Sequence, residues 1–87
     1  MRFEFDPRKS DSNKARHGID FRQAQAMWDD PDVIEVPLKT DDDPRFLVVG
    51  RIGQKQWAAI ITYRGDAIRL ISVRRARKEE VSIYEGS

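Results

Sequence analysis

Two glycine-containing turns in the second half of the chain constrain its fold more than any other feature. Gly53-Gln54 and Gly65-Asp66 each separate two strand-like runs, and glycine supplies the positive φ that two-residue hairpin turns require. The runs are residues 45–52, 56–64 and 67–74, and residues 33–38 precede them as a fourth. The pattern predicts an antiparallel sheet built from consecutive strands.

The first half of the chain predicts helices and one short strand. Residues 2–5 alternate polar and apolar side chains, as a strand does. Asp6 and Pro7 suit the start of a helix that ends at about His17, before Gly18. Asp20 and Gln23 have capping-box spacing, which predicts a second helix over residues 21–28, and residues 78–84 predict a third. We therefore expect a small α+β domain: an antiparallel sheet, two N-terminal helices packed on one face, and a short C-terminal helix.

Length and composition exclude several classes of protein. The 87 residues predict a single domain, 1–87. The absence of cysteine excludes a disulfide scaffold, a cysteine-based zinc finger and a thiol nucleophile. The longest apolar run, residues 57–61, is far shorter than a membrane span, and the N-terminus does not resemble a signal peptide. We expect a cytoplasmic protein with no membrane association.

Charge is unevenly distributed behind a formal net charge of +1. Residues 29–44 carry −6, whereas residues 45–87 carry +5, which indicates an anionic partner for the second part. The acidic turn, Asp41 to Asp43, lacks the spacing of a metal loop, so we expect no metal site there.

The predicted hairpins place a row of basic side chains on one sheet face. They pair Arg64 with Ala67, Thr62 with Arg69, Ile60 with Ile71, Arg45 with Thr62 and Leu47 with Ile60. Alternation puts Ser72 and Arg74 on the opposite, core-forming face. Because like charges on neighbouring strands repel, the row of Arg45, Thr62 and Arg69 predicts an anion among them, either a carboxylate of the protein or a ligand phosphate.

Several residues admit both a functional and a structural interpretation. His17, the single histidine, can exchange protons near neutrality, but it also suits a helix C-terminus as a cation. The arginines of the basic half suit phosphate, or a solvated surface paired with nearby glutamates. Tyr63 and Tyr84 can stack on bases or pack at the core.

The ordered set of motifs resembles the BrnT family of ribonuclease toxins. The resemblance rests on residues 3–7, 13–21, 29–31, 45–46 with Gly50, 63–65 and 68–76. It implies a RelE/ParE-like fold and a type II toxin that cleaves RNA without a metal or other cofactor and inhibits translation. It also implies a cognate antitoxin, ribbon-helix-helix-like and DNA-binding, in a heterotetramer that binds operator DNA through the antitoxin.

Metal-independent cleavage needs a base, an acid and cations around the phosphate. On this basis we expect His17 to act as general acid or base and Arg64 and Arg69 to clamp the phosphate. Lys14, Arg45 and Arg74 are predicted as further phosphate contacts, and Tyr84 as a stacking or proton-transfer residue. The alternatives are a nucleic-acid-binding module without catalysis, or a ParE-like toxin that acts on DNA gyrase through protein contacts.

Overall fold

The computed structural model describes residues 1–41 and 43–86. Within these residues, one five-stranded sheet carries three helical segments, so the fold is α+β. The elements in chain order are β1 (Arg2–Glu4), α1 (Pro7–His17), a 3₁₀ helix (Gln23–Asp29), β2 (Ile34–Leu38), β3 (Arg45–Ile52), β4 (Lys55–Arg64), β5 (Ala67–Arg75) and α2 (Lys78–Glu85).

Both predicted hairpins are present. β3 and β4 flank Gly53, and β4 and β5 flank Gly65, with glycine φ values of 63° and 59°. In each turn only the first central residue has positive φ, the φ pattern of a type II′ turn that matches the twist of the strands.

The sheet is mixed rather than antiparallel, which corrects the sequence prediction. The strand order is β1-β5-β4-β3-β2, and β1 runs parallel to β5 while every other pair is antiparallel. The register aligns Arg2 with Ala67, Phe3 with Ile68 and Glu4 with Arg69. The chain reaches this edge because Phe3 packs into the core against Trp28, with ring centroids 5.1 Å apart.

Helix α1 begins and ends as predicted. The Asp6 carboxylate accepts a hydrogen bond from the Arg8 backbone N–H at 2.9 Å, Pro7 is the first helical residue, and Gly18 ends the helix with φ 79°. The helix lies along the edge of β5 beyond the end of β1. There the buried Asn13 side chain bonds both backbone groups of Val73.

The second helix is a 3₁₀ helix, not the predicted α-helix. The capping box is present, since the Gln23 N–H donates to Asp20 at 2.7 Å and the Asp20 N–H donates to the Gln23 side chain at 3.0 Å. Phe21, Ala24 and Met27 are buried at three-residue intervals, a period that a 3₁₀ helix places on one line. The segment therefore covers one sheet face while α1 occupies an edge.

A β-bulge changes which residues of β5 face the core. The register shifts between Ile60 and Ile61, so Ile60 pairs with Ser72 and not with Ile71 as predicted. Beyond the bulge, Val73 enters the core, and Ser72 and Arg74 lie on the face opposite to the predicted one.

The two sheet faces differ in how they are covered. The core face packs Val48, Ile61, Leu70 and Val73 against the 3₁₀ helix. On the other face, Val49 and Ala58 are buried in the region where α2 contacts β3. We call the part of this side around Arg69 the arginine face; it comprises Glu4, Arg45, Leu47, Ile60, Thr62, Arg64 and Arg69.

Candidate functional site

Arg64 and Arg69 converge on one carboxylate. The Glu4 Oε1 atom lies 3.2 Å from Nη1 of Arg69 and 4.0 Å from Nε of Arg64. The parallel register of β1 on β5 places Glu4 directly beside Arg69, and the antiparallel pair of Arg64 with Ala67 brings the second guanidinium to the same end of the sheet. The anion that the arginine row requires is thus supplied by the protein itself.

Arg45 extends the same basic surface. Its neighbour Thr62 donates a hydrogen bond to the Pro44 carbonyl at 2.7 Å, which ties the start of β3 to β4. Arg45 is exposed and has no ion-pair partner within the described residues. Three guanidinium groups with one carboxylate leave the surface positively charged, as a phosphate site needs.

His17 lies in a separate groove between α1 and β5. The groove has a volume of about 490 Å³ and is lined by Lys9, Ser12, Asn13, Arg16, His17, Ile71 and Ser72. The bulge at Ile71 shapes its β5 side. Three basic side chains of α1, those of Lys9, Arg16 and His17, therefore face one groove. On the strand side of this groove, Ser72 lies three residues from Arg69, or about 10 Å along β5.

Lys14 does not share this groove. Its ammonium donates to the Gly18 carbonyl at 3.3 Å and to the Gln23 side chain at 3.0 Å. These bonds hold Lys14 at the junction between α1 and the 3₁₀ helix, so this predicted phosphate contact lies outside the groove of His17.

Arg74 is paired with a glutamate of α2. Its two terminal nitrogens donate to the two Glu80 oxygens at 2.7 and 2.8 Å. These hydrogen bonds raise the pKa of Arg74, against the opposing effect of burial, and they lower the pKa of Glu80 despite its burial. Any phosphate contact of Arg74 would have to displace Glu80.

Tyr84 is buried, which argues against its predicted role in stacking or proton transfer. Its hydroxyl donates to Asp30 at 2.6 Å, and this bond, with burial, raises the Tyr84 pKa to about 12. Burial alone would raise the Asp30 pKa, but the bonds from Tyr84 and from the backbone N–H groups of Asp32 and Arg51 lower it overall. The pair fastens α2 to the body of the domain.

Tyr63 lies on the core side, away from the arginines. Its ring packs edge-to-face on Phe46 at 5.3 Å, and its hydroxyl bonds the Glu35 carboxylate. It borders an apolar cavity of about 410 Å³ whose walls include Trp28, Val48 and Ile68. Burial and then the bond to Glu35 raise the Tyr63 pKa to about 12.

The acidic turn is described only in part, because Asp42 lies outside the described residues. Thr40 donates to the Asp43 carbonyl at 2.8 Å and closes the turn on itself. Within residues 1–41 and 43–86, no three acidic or histidine side chains are grouped as metal ligands would be. In the same part of the chain, no helix is long and apolar enough to cross a membrane.

The residues that sequence reasoning missed are Glu4, Asn13 and Asp30. The sequence contained a signal for the position of Glu4. Phe3 and Phe5 flank it in an alternating strand, and their partial burial places the Glu4 side chain on the other face of the sheet. Asn13 and Asp30 had none, since each bonds groups more than twenty residues away.

A family model described as “Ribonuclease toxin, BrnT, of type II toxin-antitoxin system” matches residues 5–80. The matched segment contains His17, Arg45, Arg64 and Arg69, and it begins one residue after Glu4. A comparison with curated proteins gave no match.

Proposed function

Because the chain belongs to the BrnT family of ribonuclease toxins of type II toxin–antitoxin systems, we propose that it cleaves RNA on the arginine face without a metal ion. The observation that carries this proposal is the convergence of Arg64 and Arg69 on the single carboxylate of Glu4. Two guanidinium groups side by side match a phosphate, and the donor set is basic rather than the oxygen set that Mg²⁺ prefers.

The chemistry uses the 2′-hydroxyl of the substrate as nucleophile. Arg64 and Arg69 bind the non-bridging oxygens of the scissile phosphate and stabilise the charge that develops on them. Arg45, exposed on the same face, binds a neighbouring phosphate. The products are a 2′,3′-cyclic phosphate and a 5′-hydroxyl.

His17 is the proposed proton-transfer group. It lies in a groove that Lys9 and Arg16 make basic. The groove reaches β5 at Ser72, which is three residues along the strand from Arg69. A single RNA strand that crosses from the arginine face into this groove would meet the arginines with one phosphate and His17 with the adjoining sugar.

The proposal includes an antitoxin partner, a superfamily and an effect on translation. We expect a ribbon-helix-helix-like, DNA-binding antitoxin to neutralise the toxin in a heterotetramer that binds operator DNA. We also propose that the fold is RelE/ParE-like. Cleavage of cytoplasmic RNA by the toxin would inhibit translation. Arg74 and Lys14, which are engaged by Glu80 and Gln23, are proposed as weaker phosphate contacts.

The test is cleavage of a structured RNA by the purified chain in excess EDTA, with the product ends identified. The proposal predicts cleavage that resists chelation, cyclic phosphate termini, and no cleavage where a 2′-deoxynucleotide replaces the attacking residue. Salt-sensitive binding without cleavage would instead support the non-catalytic module, and gyrase inhibition with indifference to RNA would support the ParE-like alternative.

A further inference from the structure

We propose that Glu4 is the general base that removes the 2′-hydroxyl proton, a role that rests on the proposed ribonuclease activity. Glu4 lies outside the segment that matches the family model. Its carboxylate stands between the two arginines expected to hold the scissile phosphate.

The position of Glu4 suits a group that touches substrate. Its side chain is one-third exposed, at 33%, and only its Oε1 atom is used in contacts among the described residues. The Oε2 atom remains available as an acceptor. A phosphate bound by Arg64 and Arg69 places the adjoining ribose within reach of a carboxylate that already contacts both side chains.

The charge arrangement also fits this role. Arg64 has a side chain 62% exposed and lies 4.0 Å from Glu4, so this long contact leaves its guanidinium free to bind a second anion. One carboxylate between two cations leaves a net positive charge for the phosphate. An ionised carboxylate is moreover the form in which a base accepts a proton.

Contacts other than those of Glu4 also hold β1 on the sheet. The parallel backbone register holds β1 on β5, and Arg2 bonds Asp66 at 2.9 Å at the start of the strand. Variants of Glu4 can therefore test a catalytic role separately from a structural one.

The proposed step balances without an added reactant. The 2′-hydroxyl proton passes to Glu4 as the 2′-oxygen bonds to phosphorus. The bond from phosphorus to the 5′-oxygen breaks, and that oxygen takes a proton from His17 in its charged form. Solvent then returns the proton from Glu4 to His17, so both residues regain their starting states.

The experiment compares wild type, Glu4→Gln, Glu4→Asp and the control Asp66→Asn in EDTA. Asp66 carries the same charge, lies at the adjacent turn and is paired with Arg2. The readouts are the pH profile of kcat/KM on a defined RNA, and the affinity for the same RNA with a 2′-O-methyl group at the cleavage site. Thermal unfolding of each variant checks that it is folded.

A general base predicts that Glu4→Gln loses about 100-fold in kcat/KM together with the acid limb of the profile. Analogue affinity should stay within about threefold or tighten, because the arginines lose a competitor. Glu4→Asp should keep a reduced acid limb, and Asp66→Asn should match wild type.

Two outcomes would overturn the inference, and they are distinguishable. If wild type cleaves and folded Glu4→Gln cleaves equally well, Glu4 is an ion-pair partner only and the ribonuclease assignment stands. If wild type cleaves no RNA in EDTA, the proposed function fails and the role of Glu4 fails with it.

Discussion

The side-chain amide of Asn13 takes the place of a neighbouring strand for Val73. It donates to the Val73 carbonyl at 2.8 Å and accepts from the Val73 N–H at 3.1 Å. The same amide donates to the Ile19 carbonyl at 2.8 Å. Because β1 pairs only with residues 67–69 of β5, this side chain closes the strand edge that β1 leaves open and joins it to the α1 terminus.

Replacing Asn13 with alanine should therefore be strongly destabilising. The variant leaves Val73 N–H and two carbonyls without their partner in a buried setting, at an expected cost of about 2–4 kcal/mol. Urea unfolding followed by circular dichroism measures the change. Ser12→Ala, an exposed position on the same helix, should change stability by less than about 0.5 kcal/mol, and equal effects of the two would contradict the account.

Tyr84→Phe should lower stability without abolishing RNA cleavage. The substitution removes the hydroxyl bonded to Asp30 while keeping the buried ring, so a loss of about 1–2 kcal/mol is expected. Cleavage rates measured well below the unfolding temperature should stay within about threefold of wild type. A folded Tyr84→Phe variant that lost cleavage would restore the catalytic role that burial argues against.

Glu80 should make stability depend on acid pH. Its folded pKa is lowered from 4.5, chiefly by the bonds from Arg74, so its contribution is present above the unfolded pKa and is lost as pH falls through the folded value. Glu80→Gln should cost about 1–3 kcal/mol at pH 7 and progressively less toward pH 3. Glu79→Gln, on the same turn and exposed, serves as the control, and a cost independent of pH would contradict the linkage.

Gly50→Ala tests how closely the 3₁₀ helix approaches β3. An added Cβ would lie 3.0 Å from the Met27 carbonyl oxygen and 3.1 Å from Cγ2 of Val33, and a cost of about 1–3 kcal/mol is expected. The comparison is Gly53, where space is open but φ is positive. Asparagine tolerates positive φ, so Gly53→Asn should cost less stability than Gly53→Ala. At residue 50 the larger asparagine should cost more stability than alanine. The same ranking at both positions would refute the steric explanation.

Local signals predicted most of the framework. The hairpins followed from glycine at residues 53 and 65, and α1 followed from Asp6, Pro7 and Gly18, because each signal acts within a few residues of itself. The pairing of Thr62 with Arg69 followed from the turn at Gly65 and is confirmed.

Long-range contacts account for what was missed. Ile71 is the extra residue of the bulge. Because Leu70 and Ile71 are both apolar, the hydrophobicity pattern of the sequence shows no break at this point. The three-residue strand β1 pairs with a segment more than sixty residues away, so no local pattern set its direction or its neighbour. Packing of Tyr84 at the core was one of its two interpretations, but its partner Asp30 lies 54 residues earlier, so no local pattern identified that bond.

The most direct test of the account is the single-turnover rate of RNA cleavage in EDTA for wild type, Arg69→Ala and Arg22→Ala. Each variant removes one positive charge, but Arg22 is exposed beside the 3₁₀ helix, away from the arginine face. Arg69→Ala should lower the rate by about 100-fold or more, and Arg22→Ala should change it by no more than about threefold. Equal rates for the two folded variants, or wild-type cleavage that stops on chelation, would contradict it.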